Sequence, residues 1–363
     1  MRKLASFLLP LATLLVPLAI GACQASTQPS QQPPYYGPGP YGQQPPPYGQ
    51  QPPPYGQQPP PYGQPPPPNG QPPYNPNGPP PQQPQQPPPP VAQRALLPPL
   101  IGVAAWQQEL RSVLNELLAS LGPSNQALVR GIPLVFDPTV EVNAFAGCDD
   151  TGAPFLAATS GILEAIDAIA QTKATDELFG THTYDAYCSA VLPQLVSSDK
   201  ARAGLPAGII PPQFGSDLRR WSRAHEIFDE VLAFTFGHEL AHHYLGHTGC
   251  AKGQGGSGPD PTKLGRIATA VPLFNQVAEA SADSAGAYNS LDAGRARRPQ
   301  YEWSENGGTT LLDYFARLER AAGQGGPLSL LNPTALLKTH PNPLARIPLL
   351  QAVARTWHQQ HPR

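Results

Sequence analysis

Four histidines and one glutamate fall within the twelve residues FGHELAHHYLGH, positions 236–247, of a chain that holds nine histidines in all. Within it, His238-Glu239-Leu240-Ala241-His242 has the pattern H-E-x-x-H. Residues four apart share one face of a helix, so both imidazoles can bind one zinc ion. Zinc lowers the pKa of a bound water towards neutrality. Glu239, next to the first ligand, can take the proton as that water attacks a carbonyl. The neighbours Phe234, Phe236, Leu240 and Leu245 are apolar and would bury this helix. Two buried imidazoles beside a carboxylate need compensation.

A third ligand is required. In one class of zinc enzymes a glycine and a further histidine follow, as HExxHxxGxxH; here those positions are Leu245 and Thr248, so that pattern is absent. His247 lies five residues past His242. On a continuous helix it would turn away, which makes it a supporting or helix-capping residue. The other class takes a glutamate from a later helix. Glu279-Ala280-Ser281-Ala282-Asp283 places two acids four apart among small residues, with Ala285 and Gly286 following. Such a helix can approach another closely. Glu279 is then the expected third ligand. Asp283 is placed to accept a hydrogen bond from a ligand imidazole and fix its tautomer.

The elements that must hold these groups are legible in outline. Arg2 and Lys3 precede an apolar run ending Ile20-Gly21-Ala22-Cys23, the form of a secretory signal over 1–22 with a lipobox and lipidation of Cys23. Residues 23–93 carry no charge after Cys23; they are Pro, Gln, Gly and Tyr, with QQPPPYG recurring so that Tyr41, Tyr48, Tyr55 and Tyr62 are seven apart. Proline at this density forbids a helix. An extended spacer at ~3.1 Å per residue could reach roughly 200 Å. Residues 94–363 then form one domain, expected as α+β and mainly helical. Helices are expected over 100–121, 161–171, 219–247, 267–292, 308–323 and 343–358, and short strands at 132–136 and 155–158. Residues 172–225 read as an irregular insertion with one helix at most. The net charge of −2 gives no sign of a nucleic-acid partner. Besides Cys23 there are Cys148, Cys188 and Cys250, which allow one internal bridge whose pair the sequence does not choose.

Over residues 130–350 the chain resembles a known family, the gluzincin endopeptidases of the HtpX and CAAX-prenyl-protease type. Four motifs carry the resemblance in order: Asn143-Ala144-Phe145-Ala146 with SGILEAI at 160–166; HELAHHYLGH; the E-x-x-A-D helix at 279–283; and Thr339-His340-Pro341 with Arg346-Ile347. The resemblance implies a zincin-like fold, one zinc ion on His238, His242 and Glu279, and Glu239 as general base. It implies that His340 and Arg346 stabilise the oxyanion or hold the active-site acid, and that His247 corresponds to the family's extra histidine. Asn143, Ala144, Phe145 and Ala146 would form an edge strand that pairs with an extended substrate; a bridge from Cys148 would pin that edge. The chain departs from the membrane-spanning members and is nearer to the soluble envelope members. The expected function is a lipid-anchored zinc endopeptidase facing the periplasm, at the outer membrane, acting on unfolded or misfolded envelope proteins. The alternatives are a non-catalytic, zinc-bound assembly factor, and a zinc hydrolase of cell-wall amides.

Overall fold

The computed structural model describes residues 94–253, 276–297, 299–324, 340 and 342–362. Cys23, the 1–93 segment, the start of the helix expected at 267–292, Thr339 and Pro341 lie outside the described residues. None of the described helices is long and apolar enough to cross a membrane.

The described elements run α1 (Val103–Ser120), α2 (Pro123–Val129), β1 (Leu134–Asp137), β2 (Ala144–Cys148), β3 (Pro154–Thr159), α3 (Ser160–Phe179), α4 (Thr183–Ser197), α5 (Pro212–Gly215), α6 (Leu218–Tyr244), α7 (Gln276–Arg295), α8 (Asn306–Gln324) and α9 (Pro343–Gln360). This is a mainly helical α+β arrangement with a small three-stranded sheet of order β1-β3-β2. β3 pairs parallel with β1 and antiparallel with β2, so β2 is an edge strand, as the resemblance implied.

Helix α6 is the centre of the domain. From Ile227 to Tyr244 every side chain is buried, because α1, α2, α3, α7, α8 and β2 all pack on it. A helix enclosed on all sides has no solvated face on which to carry scattered charges. Its polar residues must therefore find partners inside the protein.

The expectation for 172–225 is corrected. Residues 172–179 complete α3, 183–197 form α4, 212–215 form α5, and α6 begins at Leu218. The stretch GTHTYDAYC and the proline-bearing GLPAGIIPPQFG suggested irregular structure. Gly180 instead ends α3 in the left-handed conformation, with φ 63°, and Pro193 is accommodated inside α4. Tyr184, Tyr187, Cys188, Val191, Leu192 and Leu195 recur at helical spacing and are buried. They pack α4 on α3 and α8. α2 was not foreseen; Pro123 stands in its first turn, where a missing N–H costs nothing.

A buried polar chain ties α3 to its neighbours. Asp167 accepts from the Leu100 N–H at 2.7 Å and from Gln171 Nε2 at 2.7 Å, and Arg220 of α6 donates to Gln171 Oε1 at 3.3 Å. Burial pushes the Asp167 carboxyl up to about 6 against those hydrogen bonds. The folded state thus favours the protonated acid. Its contribution is complete below the unfolded value near 3.8 and is lost as pH rises through about 6. Two units correspond to about 3 kcal/mol. Asp167→Asn keeps an acceptor for Leu100. Its melting temperature, measured between pH 5 and pH 8, is expected to fall less with rising pH than that of the wild type.

Candidate metal centre

The crossing of α6 and α7 brings the chemistry together. A Cβ on Gly286 would lie 2.6 Å from His238 N and 2.8 Å from His238 Cα; one on Gly237 would lie 3.0 Å from Gly286 O. The two backbones therefore touch where the glycines face each other. Glu279 and Asp283 lie on the Gly286 face of α7, and His238 follows Gly237 on α6. The small residues noted in the sequence serve this approach.

His238, Glu239, His242, Glu279, Asp283, His340 and Arg346 are all buried. His238 Nε2 and His242 Nε2 are 3.0 Å apart. Glu279 Oε2 is 3.5 Å from His238 Nε2, and Oε1 is 3.3 Å from His242 Nε2. Ligand atoms about 2.0–2.1 Å from one tetrahedral ion stand about 3.3 Å apart. The three side chains therefore converge on a common point at the spacing of a metal site. Burial pushes His242 down to about 3, leaving the neutral imidazole that ligation requires. Burial acts to raise Glu279, but the imidazoles of His340 and His238 and the hydrogen bonds from His242 and His340 outweigh it and keep the carboxylate ionised. Glu279 Oε1 makes no hydrogen bond of good geometry although it is buried. A cation answers all three needs. The group His238, His242, Glu279 and His340 could hold a metal ion.

The surrounding contacts fix these donors. His238 Nδ1 lies 3.0 Å from Asp283 Oδ1, the carboxylate–imidazole contact expected from the sequence. Arg346 of α9 holds Asp283 with two bonds of 2.6 Å and reaches Glu279 Oε2 at 2.8 Å. It therefore grips both acids of α7. His340 sits between the two glutamates, with Nδ1 3.0 Å from Glu279 Oε2 and Nε2 3.6 Å from Glu239 Oε1. Burial works against its protonation, but Glu279 and Glu239 prevail and push it up to about 9. Both ring nitrogens then carry protons, and Nε2 has no hydrogen-bond partner.

Glu239 accepts from the Ala146 N–H at 2.8 Å. Burial raises its pKa, with His340 and His238 opposing. In the β2–β3 register Ala146 faces Leu156. The Ala146 N–H is directed to the free edge, and by alternation Ala144 shares that side. Asn143, Ala144, Phe145 and Ala146 are buried. Asn143 is fixed by Thr159, whose hydroxyl accepts from its N–H at 3.1 Å. The edge expected to meet a substrate does face the centre, and its first donor is engaged by the expected base.

His247 takes the supporting role expected of it, but by a different path from the expected one. α6 ends at Tyr244, and Gly246, with φ 79°, reverses the chain. His247 returns instead of turning away, with Nδ1 2.9 Å from His242 Nδ1 and Nε2 3.3 Å from Ser281 Oγ. It orients the second histidine from behind. His243, which the sequence reading passed over, pins the same end: Nε2 lies 3.0 Å from Phe155 O and Nδ1 2.9 Å from Thr248 Oγ1. Its position next to His242 on the H-E-x-x-H helix was the available signal.

Cys148, at the end of β2, is bridged to Cys250 with Cα atoms 6.1 Å apart; Cys188 is free and buried. The bridge fastens the edge strand to the segment following α6. It closes a loop with a sequence separation of 102, for which chain entropy gives about 4–5 kcal/mol. Cys250→Ser is expected to lower the unfolding free energy by that order, read by denaturant titration. Thiol labelling of the unreduced, unfolded domain from Arg94 onward should find one thiol, Cys188.

No protein-family model matches the chain, and no curated protein or solved structure does either.

Proposed function

We propose that the chain is a zinc-dependent endopeptidase of gluzincin type, similar to the HtpX and CAAX-prenyl-protease family, carried in the bacterial envelope by lipid on Cys23 and acting on unfolded envelope proteins. The observation that carries this reading is a carboxylate, Glu239, buried beside a converging His238, His242 and Glu279 set and bonded to a sheet edge. A pure binding site has no need of a base at that position.

His238, His242 and Glu279 would hold the ion, which when bound supplies Lewis acidity and a water of lowered pKa. Glu239 takes the proton of the attacking water and passes it to the leaving amine. Burial has moved its proton affinity upwards, in the direction a base working near neutral pH requires. His340, protonated and with Nε2 unengaged, donates to the oxygen on which negative charge develops. Arg346 and Asp283 position: the arginine holds both acids of α7, and Asp283 sets the His238 ring. An apolar recess lined by Ile162, Phe234, Leu311, Leu312 and Phe315 adjoins His238, Glu239 and His340. It offers an apolar wall against which a substrate residue can rest.

The test is degradation of casein by the purified protein. Cleavage that stops on chelation and returns with zinc is the expected result. Zinc-loaded protein that leaves casein intact would refute the peptidase reading; in that case release of fragments from peptidoglycan would point to wall amides, and no release to a non-catalytic factor.

A further inference from the structure

Nearer the start of α6, away from the centre just described, a second group of donors crosses from α1. We infer that Glu109, His225 and Asp229 form a second site for a divalent cation of the zinc class, one that braces α1 against α6.

His225 and Asp229 are four apart on α6 and so share a face. Glu109 comes from α1. His225 Nε2 is 3.4 Å from Glu109 Oε1 and 3.8 Å from Asp229 Oδ1, and one donor atom from each residue lies within 4.8 Å of the others. These spacings are close to the roughly 3.3 Å between ligands on one tetrahedral ion. Asp229 is 6 % exposed. Neither its Oδ1 nor His225 Nε2 makes a hydrogen bond of good geometry, and Glu109 is the neighbour both face. A buried carboxylate oxygen and an imidazole nitrogen, each lacking such a bond and turned to the same space, call for something between them.

The charges around the group agree. Arg297 takes the other Asp229 oxygen at 3.3 Å and Glu116 at 3.2 Å, and it stacks on Trp303. It leaves Oδ1 open. Glu109, Asp229 and Glu116 against Arg297 give three negative charges and one positive, a surplus of two with His225 neutral and of one with it charged, the form Glu109 favours in the absence of a cation. A divalent cation removes that surplus. The alternative occupant is a proton shared between the two carboxyls: burial and the neighbouring Glu109 push Asp229 up to about 8. The His225 and Glu109 side chains are 44 % and 26 % exposed, which provides an entrance for an ion. One imidazole and two carboxylates suit zinc, cobalt or manganese, with the remaining position left to water. α1 also packs on α7. A cation here would hold the frame that carries both ligand helices of the first centre.

The full protein is stripped with chelator, reloaded with Zn²⁺, exchanged into metal-free buffer and assayed for zinc content and melting temperature. His225→Gln, at a part-exposed position, is expected to retain one zinc per chain fewer than the wild type and to lose part of the zinc-induced rise in melting temperature. Glu109→Gln serves if His225→Gln does not fold. His242→Asn should lose a different equivalent, and the double variant both. Zinc content unchanged in His225→Gln and Glu109→Gln would overturn the inference and leave the shared proton in place. Zinc lost from His225→Gln but not from His242→Asn would support this site while removing the metal from the proposed catalytic centre.

Discussion

Glu239→Gln is expected to lower casein cleavage by about 10³-fold or more while zinc content stays at the wild-type level. Positioned acid–base catalysis contributes about 10²–10⁴-fold, and no other carboxylate is free for the task. Asp283 is held by Arg346, and Glu279 faces both histidines. Glutamine is close in shape and keeps a carbonyl oxygen for the Ala146 N–H, which Glu239 accepts at 2.8 Å. Folding should therefore be undisturbed. The variant also replaces a buried carboxyl whose ionisation burial disfavours, so no loss of stability is expected. Cleavage at the wild-type rate would remove Glu239 from the mechanism. Loss of zinc would make it a ligand instead of a base.

Gly286→Val is expected to cost several kcal/mol of stability and to abolish zinc retention and activity together. The first atom beyond Cα would already stand 2.6 Å from His238 N and 2.8 Å from His238 Cα. Backbone cannot rotate aside as a flexible side chain can. Overpacking of this kind costs about 1–3 kcal/mol or more, and a β-branched residue adds further atoms to the clash. The two helices would have to separate, carrying Glu279 and Asp283 away from His238 and His242. Ligand geometry tolerates only a few tenths of an ångström. Ala282→Ser, a small change on the same helix, is the control for packing without a backbone clash. Thermal unfolding and zinc content measure both effects; a Gly286→Val protein with wild-type zinc content would show that the close crossing is not what sets the site.

How far the sequence reveals this arrangement depends on which physics sets each part. His238 with His242, and Glu279 with Asp283, are pairs on single helices, and the helical period alone puts each pair on one face. The small residues around Asp283 announced a close helix contact, and Gly286 is where it occurs. The edge position of β2 was expected only from the resemblance carried by Asn143-Ala144-Phe145-Ala146. His247 was expected to support the site, but the path that brings it there depends on where α6 stops, a choice made by Gly246. The Cys148–Cys250 pairing and the approach of Glu109 to His225 are set by tertiary packing, on which spacing is silent. In α4, the ambiguity of GTHTYDAYC and the prolines of the following GLPAGIIPPQFG outweighed a helical pattern of buried residues that was present all along. His340 was expected in the site only through the resemblance; its distances to Glu279 and Glu239 put it there.

The central claim is that His238, His242 and Glu279 hold zinc for hydrolysis. The most direct measurement is the zinc content of the purified protein against His242→Asn, each exchanged into metal-free buffer. The account predicts one zinc per chain lost in the variant, with its casein cleavage lost as well. Equal zinc in the two proteins would contradict it.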